Sequence, residues 1–596
     1  MHEDDQITYF GETDARNKHV KFGIKAKDRT RHVYVIGKTG MGKSTLLENM
    51  AVQDIQNGNG LAFVDPHGKS AELIMEYVPE HRIKDVIYFA PFDTDYPVSF
   101  NVMEDVGPER RHLVASGLMS AFKKIWVDAW SARMEYILNN TLLALLEYPD
   151  STLLGVNRML SDKWYRQKVV SNISDPSVKS FWVDEFEKYG EKYMQEAGAA
   201  IQNKIGQFTA NPLVRNIVGQ KHSSFDIREA MDNKKILIAN LSKGKVGEAN
   251  ANLLGSMLIT KIYLGAMSRS DVPDRELQKL PNFYLFVDEF QSFANESFAD
   301  ILSEARKYKL NLTIAHQYVD QMSEEVRSAV FGNVGTTISF RVGPLDAELL
   351  EKLFMPQFTA EDMVNLGRYQ MYLTLMIDGI GSQPFSALSI PPIEKPEQTF
   401  HDEIVSASRN SFARPKDQIE EGVRLWYLEG EDERIEMEKR KKKGGGGFGS
   451  PRFGEAGGGG FGGGKSFSNN NGPSGENKET RSDMKKALFE AIKTGVATPV
   501  VSAPLQVPAV SLENFAKKHI PTKIHKEDHK KPTPPNVNAL KDALSSLVAK
   551  NPNENKPPLR PEEIPPKNSV PKEEQKKHKN HPNEIPEDEL RKILSI

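Results

Sequence analysis

The chemistry-bearing residues of this chain fall in two short stretches far apart in sequence. In "VYVIGKTGMGKSTLLENM", Gly37, Lys38, Thr39, Gly40, Met41, Gly42, Lys43, Ser44 and Thr45 span and follow a G-x-x-x-x-G-K-[ST] pattern, met at every fixed position. Glycines at these positions let backbone N–H groups curl round phosphates, which also meet the positive end of the helix that follows. Lys43 is placed to reach β- and γ-phosphates, and the Ser44 hydroxyl to coordinate Mg²⁺, so ATP and Mg²⁺ are the expected ligands. In the second stretch, "YLFVDEF", four apolar residues end in Asp288 and Glu289. Asp288 is placed to hold the metal shell, and Glu289 is a candidate general base for the attacking water.

Further candidates cluster round these two. The run "NLTIAHQ" ends in His316 and Gln317, and Gln317 could hydrogen-bond a γ-phosphate or the attacking water. The run "GLAFVDPHG" ends in Asp65, with Pro66 and Gly68 forcing a turn. Asp65 and His67 either face the same cleft or simply make that turn. In "ESFADILSEARKYK", Phe298, Ile301, Leu302, Ala305 and Tyr308 make the core stripe of a helix, leaving Arg306 and Lys307 beside it. An arginine there suits an arginine finger offered to a neighbouring subunit, or a solvated helix charge. Arg341, in "TISFRVG", is a second such candidate.

Such residues need a sheet to bring them together. Six apolar runs read as buried parallel strands: "HVYVIG", "GLAFVD", "DVIYFA", "KILIANL", "FYLFVDE" and "NLTIAHQ". Two more, "GTTISFRV" and "MYLTLMID", follow, and helical patterns separate them. This alternation predicts an α/β fold with a mainly parallel sheet covered on both faces. Open sheets of this kind bind ligands at the carboxyl ends of their strands, where Asp288, Gln317 and the glycine loop all stand.

The expected organisation has six parts. Residues 1–30 are a lead-in, and residues 31–103 and 231–395 form the nucleotide-binding core. Residues 104–230 interrupt it with helical periodicity and no convincing strand, as an all-helical insertion; its Trp126, Trp130, Trp164 and Trp182 read as packing residues. Residues 396–437 are a helical extension. Residues 438–480 are a Gly-rich flexible linker headed by "KRKKK", and residues 481–596 a disordered Pro/Lys-rich tail. Short helical patterns in that tail are partner-binding peptides or frayed helix, and the sequence leaves both open.

Composition narrows the classes. The 596 residues carry 78 basic and 81 acidic side chains, a net charge of −3, so any nucleic-acid surface must be local. With no cysteine, disulfides, thiolate metal sites and cysteine nucleophiles are excluded. The opening residues are charged throughout, and no apolar run approaches the roughly 20 residues that span a bilayer. A cytoplasmic protein without a transmembrane segment is the expectation.

Taken in order, "VIGKTGMGKST", "FVDPHG", "ILIANLSKGKVGE", "LFVDEFQSF" and "EARKYKLNLTIAHQ" resemble the HerA–FtsK superfamily of P-loop motors. They are most similar to the cytosolic part of type IV secretion and conjugation coupling proteins, over roughly residues 20 to 395. The tract 407–426 resembles the helical extension of the same relatives. The resemblance implies a RecA-like ATPase core, a homo-oligomeric ring, commonly a hexamer, and movement of DNA through its pore without sequence preference. It also implies that Gln317 senses the nucleotide and that Arg306, eleven residues earlier, acts in trans. Membrane-bound coupling proteins carry N-terminal transmembrane helices, whereas about thirty polar residues precede the first core strand here, so attachment to a secretion channel is not the expectation. The alternative function is an ATPase powering assembly or protein export by a secretion or pilus apparatus.

Overall fold

A computed structural model describes residues 5–14, 18–126, 130–189, 198–295, 297–433 and 435. The expected linker at 438–480 and tail at 481–596 lie outside the described residues. Thirteen strands are present among those described: β1 (Ile7–Glu12), β2 (Lys21–Lys25), β3 (Val33–Ile36), β4 (Gly60–Asp65), β5 (Val86–Phe89), β6 (Ile236–Asn240), β7 (Phe283–Val287), β8 (Leu310–His316), β9 (Thr336–Ser339), β10 (Gln370–Thr374), β11 (Met376–Ile377), β12 (Ile380–Gly381) and β13 (Phe385–Ser389).

Eleven of them form one sheet in the order β2-β1-β13-β10-β9-β3-β8-β7-β4-β6-β5, with β11 and β12 as a separate hairpin. From β9 to β5 every pairing is parallel, so seven strands make the expected parallel sheet. Their residues are buried on both faces, which is why they read as unbroken apolar runs. The remaining four strands extend the sheet by antiparallel pairings.

The lead-in is structural. Its β1 and β2 close the antiparallel flank, and Arg29 ties it to the core. The buried Arg29 guanidinium meets Asp54 in two bonds, of 2.8 and 2.9 Å, and Thr8 at 2.9 Å. It also lies 3.8 Å from the centroid of the Tyr284 ring. One side chain thus joins β1, the helix Lys43–Gln56 and β7.

Between β5 and β6 the described residues contain helices and no strand. The helix Arg111–Ile125 packs on the core helix Glu248–Met267 so closely that a Cβ on Gly117 would stand 2.5 Å from Thr260. Trp182 is fully buried and donates its indole N–H to the Asn140 carbonyl, while Trp126, Trp130 and Trp164 pack half-buried against the same core. After the sheet, the helix His401–Phe412 covers β5, with Ser408 accepting the Tyr88 amide at 2.9 Å. The helix Lys416–Leu428 returns to the insertion, where Arg158 donates to the Trp426 carbonyl at 2.7 Å. Among the described residues no helix is long and apolar enough to cross a membrane.

Candidate nucleotide site

Strand register sets the site. Ile36 stands opposite His316 on one side and Ser339 on the other, and Val287 opposite Ile314. The carboxyl ends of β3, β7 and β8 therefore finish at one edge. The loop leaving β3 turns through Gly42 at φ +124°, a conformation that favours glycine, into the helix Lys43–Gln56. Its base rests on the β9 end: the Lys38 amide donates to the Arg341 carbonyl at 2.8 Å, and a Cβ on Gly37 would lie 2.6 Å from Phe340. The amides of Gly40 and Gly42 find no acceptor among the described residues, and the first-turn amides of a helix have none within it. Lys43 folds over the loop and donates to the Gly37 carbonyl at 2.7 Å. Burial holds its pKa below the ordinary lysine value, against the pull of Glu289 and Asp288. Unpartnered loop amides beside an ammonium make a candidate anion cradle.

The acidic pair meets that cradle. The Ser44 hydroxyl donates to Asp288 Oδ2 at 2.9 Å. Asp288 is 2% exposed, and burial, with the charge of Glu289 next, pushes its pKa up to about 6; the Ser44 bond and Lys43 oppose the shift. Such a buried carboxylate beside a hydroxyl is a hard-oxygen pair short of positive charge. Among the described residues no cluster of three or more His, Cys, Asp or Glu could hold a metal. The donor set fits Mg²⁺, which takes one or two protein oxygens and completes its shell with water and phosphate.

Glu289 adopts a left-handed backbone, φ +48°, uncommon for a side-chain-bearing residue, and is 7% exposed. Both its carboxylate oxygens are held: Gln317 Nε2 donates to Oε1, and Gln291 Nε2 to Oε2 at 2.6 Å. The Gln317 carbonyl in turn accepts from the Thr39 hydroxyl at 3.1 Å. A continuous chain of bonds thus runs from the glycine loop through Gln317 to Glu289.

The other candidates divide. Asp65 is buried, but its carboxylate accepts the amides of His67 at 2.7 Å and Ala71 at 3.0 Å, so it serves the turn while adding negative charge near Asp288. His67 faces solvent. His316 packs against Phe290 and Tyr34, and burial lowers its pKa to about 3, leaving it neutral. Arg341 contributes its carbonyl to the loop, and its side chain is half-buried. Arg306 is not at the site of its own chain. It is exposed in the 3₁₀ turn Ala305–Tyr308, ahead of β8, and the length of that strand puts it about 20 Å from the carboxyl edge. Sequence reasoning missed Gln291, two residues beyond Glu289 and visible in "DEFQSF". It also missed Arg368 and Tyr369, for which no local signal exists: they reach the loop only because β10 joins the sheet two strands from β3.

A mainly parallel sheet with a glycine-loop cradle and an acidic pair at its carboxyl edge defines a RecA-like P-loop nucleotide-binding protein. Within that class, the chain belongs to the family described as type IV secretion-system coupling protein DNA-binding domain, whose model matches residues 17–354, more than half of the chain. A comparison with curated proteins finds no match. Among solved structures it is similar to the unbound bacterial conjugative coupling protein TrwB, at 14% identity and a TM-score of 0.46, over 65% of this chain and 91% of that one. TrwB in complex with ADP and Mg²⁺ is similar at 15% identity and a TM-score of 0.45, over 63% and 89%. VirB4 of Thermoanaerobacter pseudethanolicus is similar at 13% identity and a TM-score of 0.43, over 66% and 98%. Membership rests on the family match, not on these likenesses.

Proposed function

We propose that the chain is a Mg²⁺-dependent ATPase that moves DNA through a homo-oligomeric ring, a hexamer, on the cytoplasmic side of a secretion or conjugation apparatus. The observation that carries this reading is the bonded chain Thr39–Gln317–Glu289 lying beside the Ser44–Asp288 pair at the mouth of one anion cradle.

Lys43 and the loop amides bind the β- and γ-phosphates. Ser44 and Asp288 would hold Mg²⁺, which when bound would neutralise charge on the transferring phosphoryl group. Glu289 accepts a proton from the water that attacks the γ-phosphorus, as the bond to the leaving ADP oxygen breaks. Gln291 and Gln317 fix its carboxylate in place before that step. A γ-phosphate at the loop competes for the Thr39 hydroxyl and so releases Gln317, which leads directly into Tyr318 and the turn Val319–Gln321. The nucleotide state thereby reaches a segment beyond the site. Arg306 of one subunit completes the site of the next, the role left to it by its exposure at the far edge of its own sheet.

DNA is gripped by its phosphates, without sequence preference and with affinity falling as salt rises. Steady-state ATP turnover, measured without DNA and with duplex and single strands of increasing length, tests the reading. Stimulation that grows with length is expected; one rate under all conditions contradicts translocation.

A further inference from the structure

Loop residues 366–369, between the helix Ala360–Asn365 and β10, are bonded to the tip of the glycine loop. Arg368 Nε donates to the Gly40 carbonyl at 3.3 Å, and the Tyr369 amide to the Met41 carbonyl at 3.2 Å. The Tyr369 ring lies so close to Gly42 that a Cβ there would stand 3.2 Å from it. Its backbone is left-handed, φ +67°, and pinned from the other side by the Ser389 amide donating to its carbonyl at 2.9 Å. A bulky residue held in that region marks a position the surrounding structure dictates. Yet the residue is not enclosed: Tyr369 is 45% exposed, with the Arg368 guanidinium 5.2 Å from its ring centroid.

The direction of a bound nucleotide follows from the strand order. The groups suited to metal and γ-phosphate leave β7 and β8, on one side of β3, whereas the Arg368–Tyr369 loop enters β10, on the other side. A triphosphate laid along the loop with its γ end at Asp288 and Gln317 therefore delivers its nucleoside toward Tyr369. We propose that Tyr369 is the stacking platform for the purine base of that nucleotide, and that Arg368 locks this platform to the phosphate loop. The inference rests on the nucleotide-binding reading above and adds the base subsite to it. Stacking on a tyrosine face, with a guanidinium alongside, suits a flat aromatic base whose phosphates are already held a few ångströms away.

Titration calorimetry of the full chain with Mg²⁺ and either the non-hydrolysable analogue AMP-PNP or inorganic tripolyphosphate separates base from phosphate recognition. Tyr369→Ala is expected to weaken AMP-PNP binding by about 5- to 100-fold and Tyr369→Phe by less than about 3-fold, while tripolyphosphate affinity stays at the wild-type value in both. Retained tripolyphosphate binding also shows that the variant is folded. Unchanged AMP-PNP affinity in Tyr369→Ala overturns the base subsite alone. Equal loss of both ligands overturns it too, since the ring then merely props the loop. Wild type binding neither ligand overturns the nucleotide-binding reading itself, and the subsite with it.

Discussion

At Asp288 the fold works against itself. Its carboxyl ionises near 6, rather than at the ordinary 3.8, because it is buried and faces the charge of Glu289. A carboxyl whose pKa is raised on folding contributes stability that is complete below about pH 4 and is lost as pH rises through about 6. At neutral pH the carboxylate is therefore unfavourably charged at this buried position, a charge that a bound Mg²⁺ would offset. Asp288→Asn removes that charge. It is expected to raise stability to urea by about 1–3 kcal/mol at pH 7.5, with the gain shrinking toward pH 4, and to abolish Mg²⁺-dependent turnover. Urea unfolding at several pH values, beside an activity assay, checks both halves. Destabilisation at pH 7.5 contradicts the account.

Among the elements, the lead-in has the largest unrecognised part. Arg29 and Asp54 are buried as a pair, and Arg29→Ala leaves the Asp54 carboxylate uncompensated. A loss of about 3–5 kcal/mol is expected in denaturant unfolding, and a loss below about 1 kcal/mol contradicts a structural role. The reason this flank escapes sequence reading is physical. Strand "VYVI" is buried at all four positions, so its burial is written into its composition. By contrast "ITYFGE" and "KFGIK" are buried at only some of their positions and each contains glycine, so neither reads as an unbroken apolar run. The site divides in the same way. Lys43 and Ser44 are legible from the glycine pattern that follows one apolar run, and Asp288, Glu289 and Gln317 because they close two others. Gln291 and Tyr369 matter only through contacts made after the sheet is assembled.

At the scale of the whole molecule, one chain holds a phosphate cradle at one edge of the sheet and an exposed Arg306 at the other. The proposed sharing of sites between subunits rests on that polarity. Lys43→Ala and Arg306→Ala are each expected to be inactive alone. Mixed and allowed to exchange subunits, they are expected to regain part of the wild-type turnover, because an intact cradle then meets an intact arginine. No recovery, with exchange demonstrated by light-labelled subunits, contradicts the role in trans. Within the chain, the extension is tied to the insertion: Arg158 donates to the Trp426 carbonyl and lies 4.8 Å from its ring centroid.

The central claim is that the acidic pair and the glycine loop form one hydrolytic site, with Glu289 as its base. Its most direct measurement is the fate of ATP bound to Glu289→Gln with Mg²⁺ present. Near wild-type affinity is expected, with turnover reduced by about 10²- to 10⁴-fold and the bound nucleotide recovered as ATP. Recovery as ADP at the wild-type rate contradicts it.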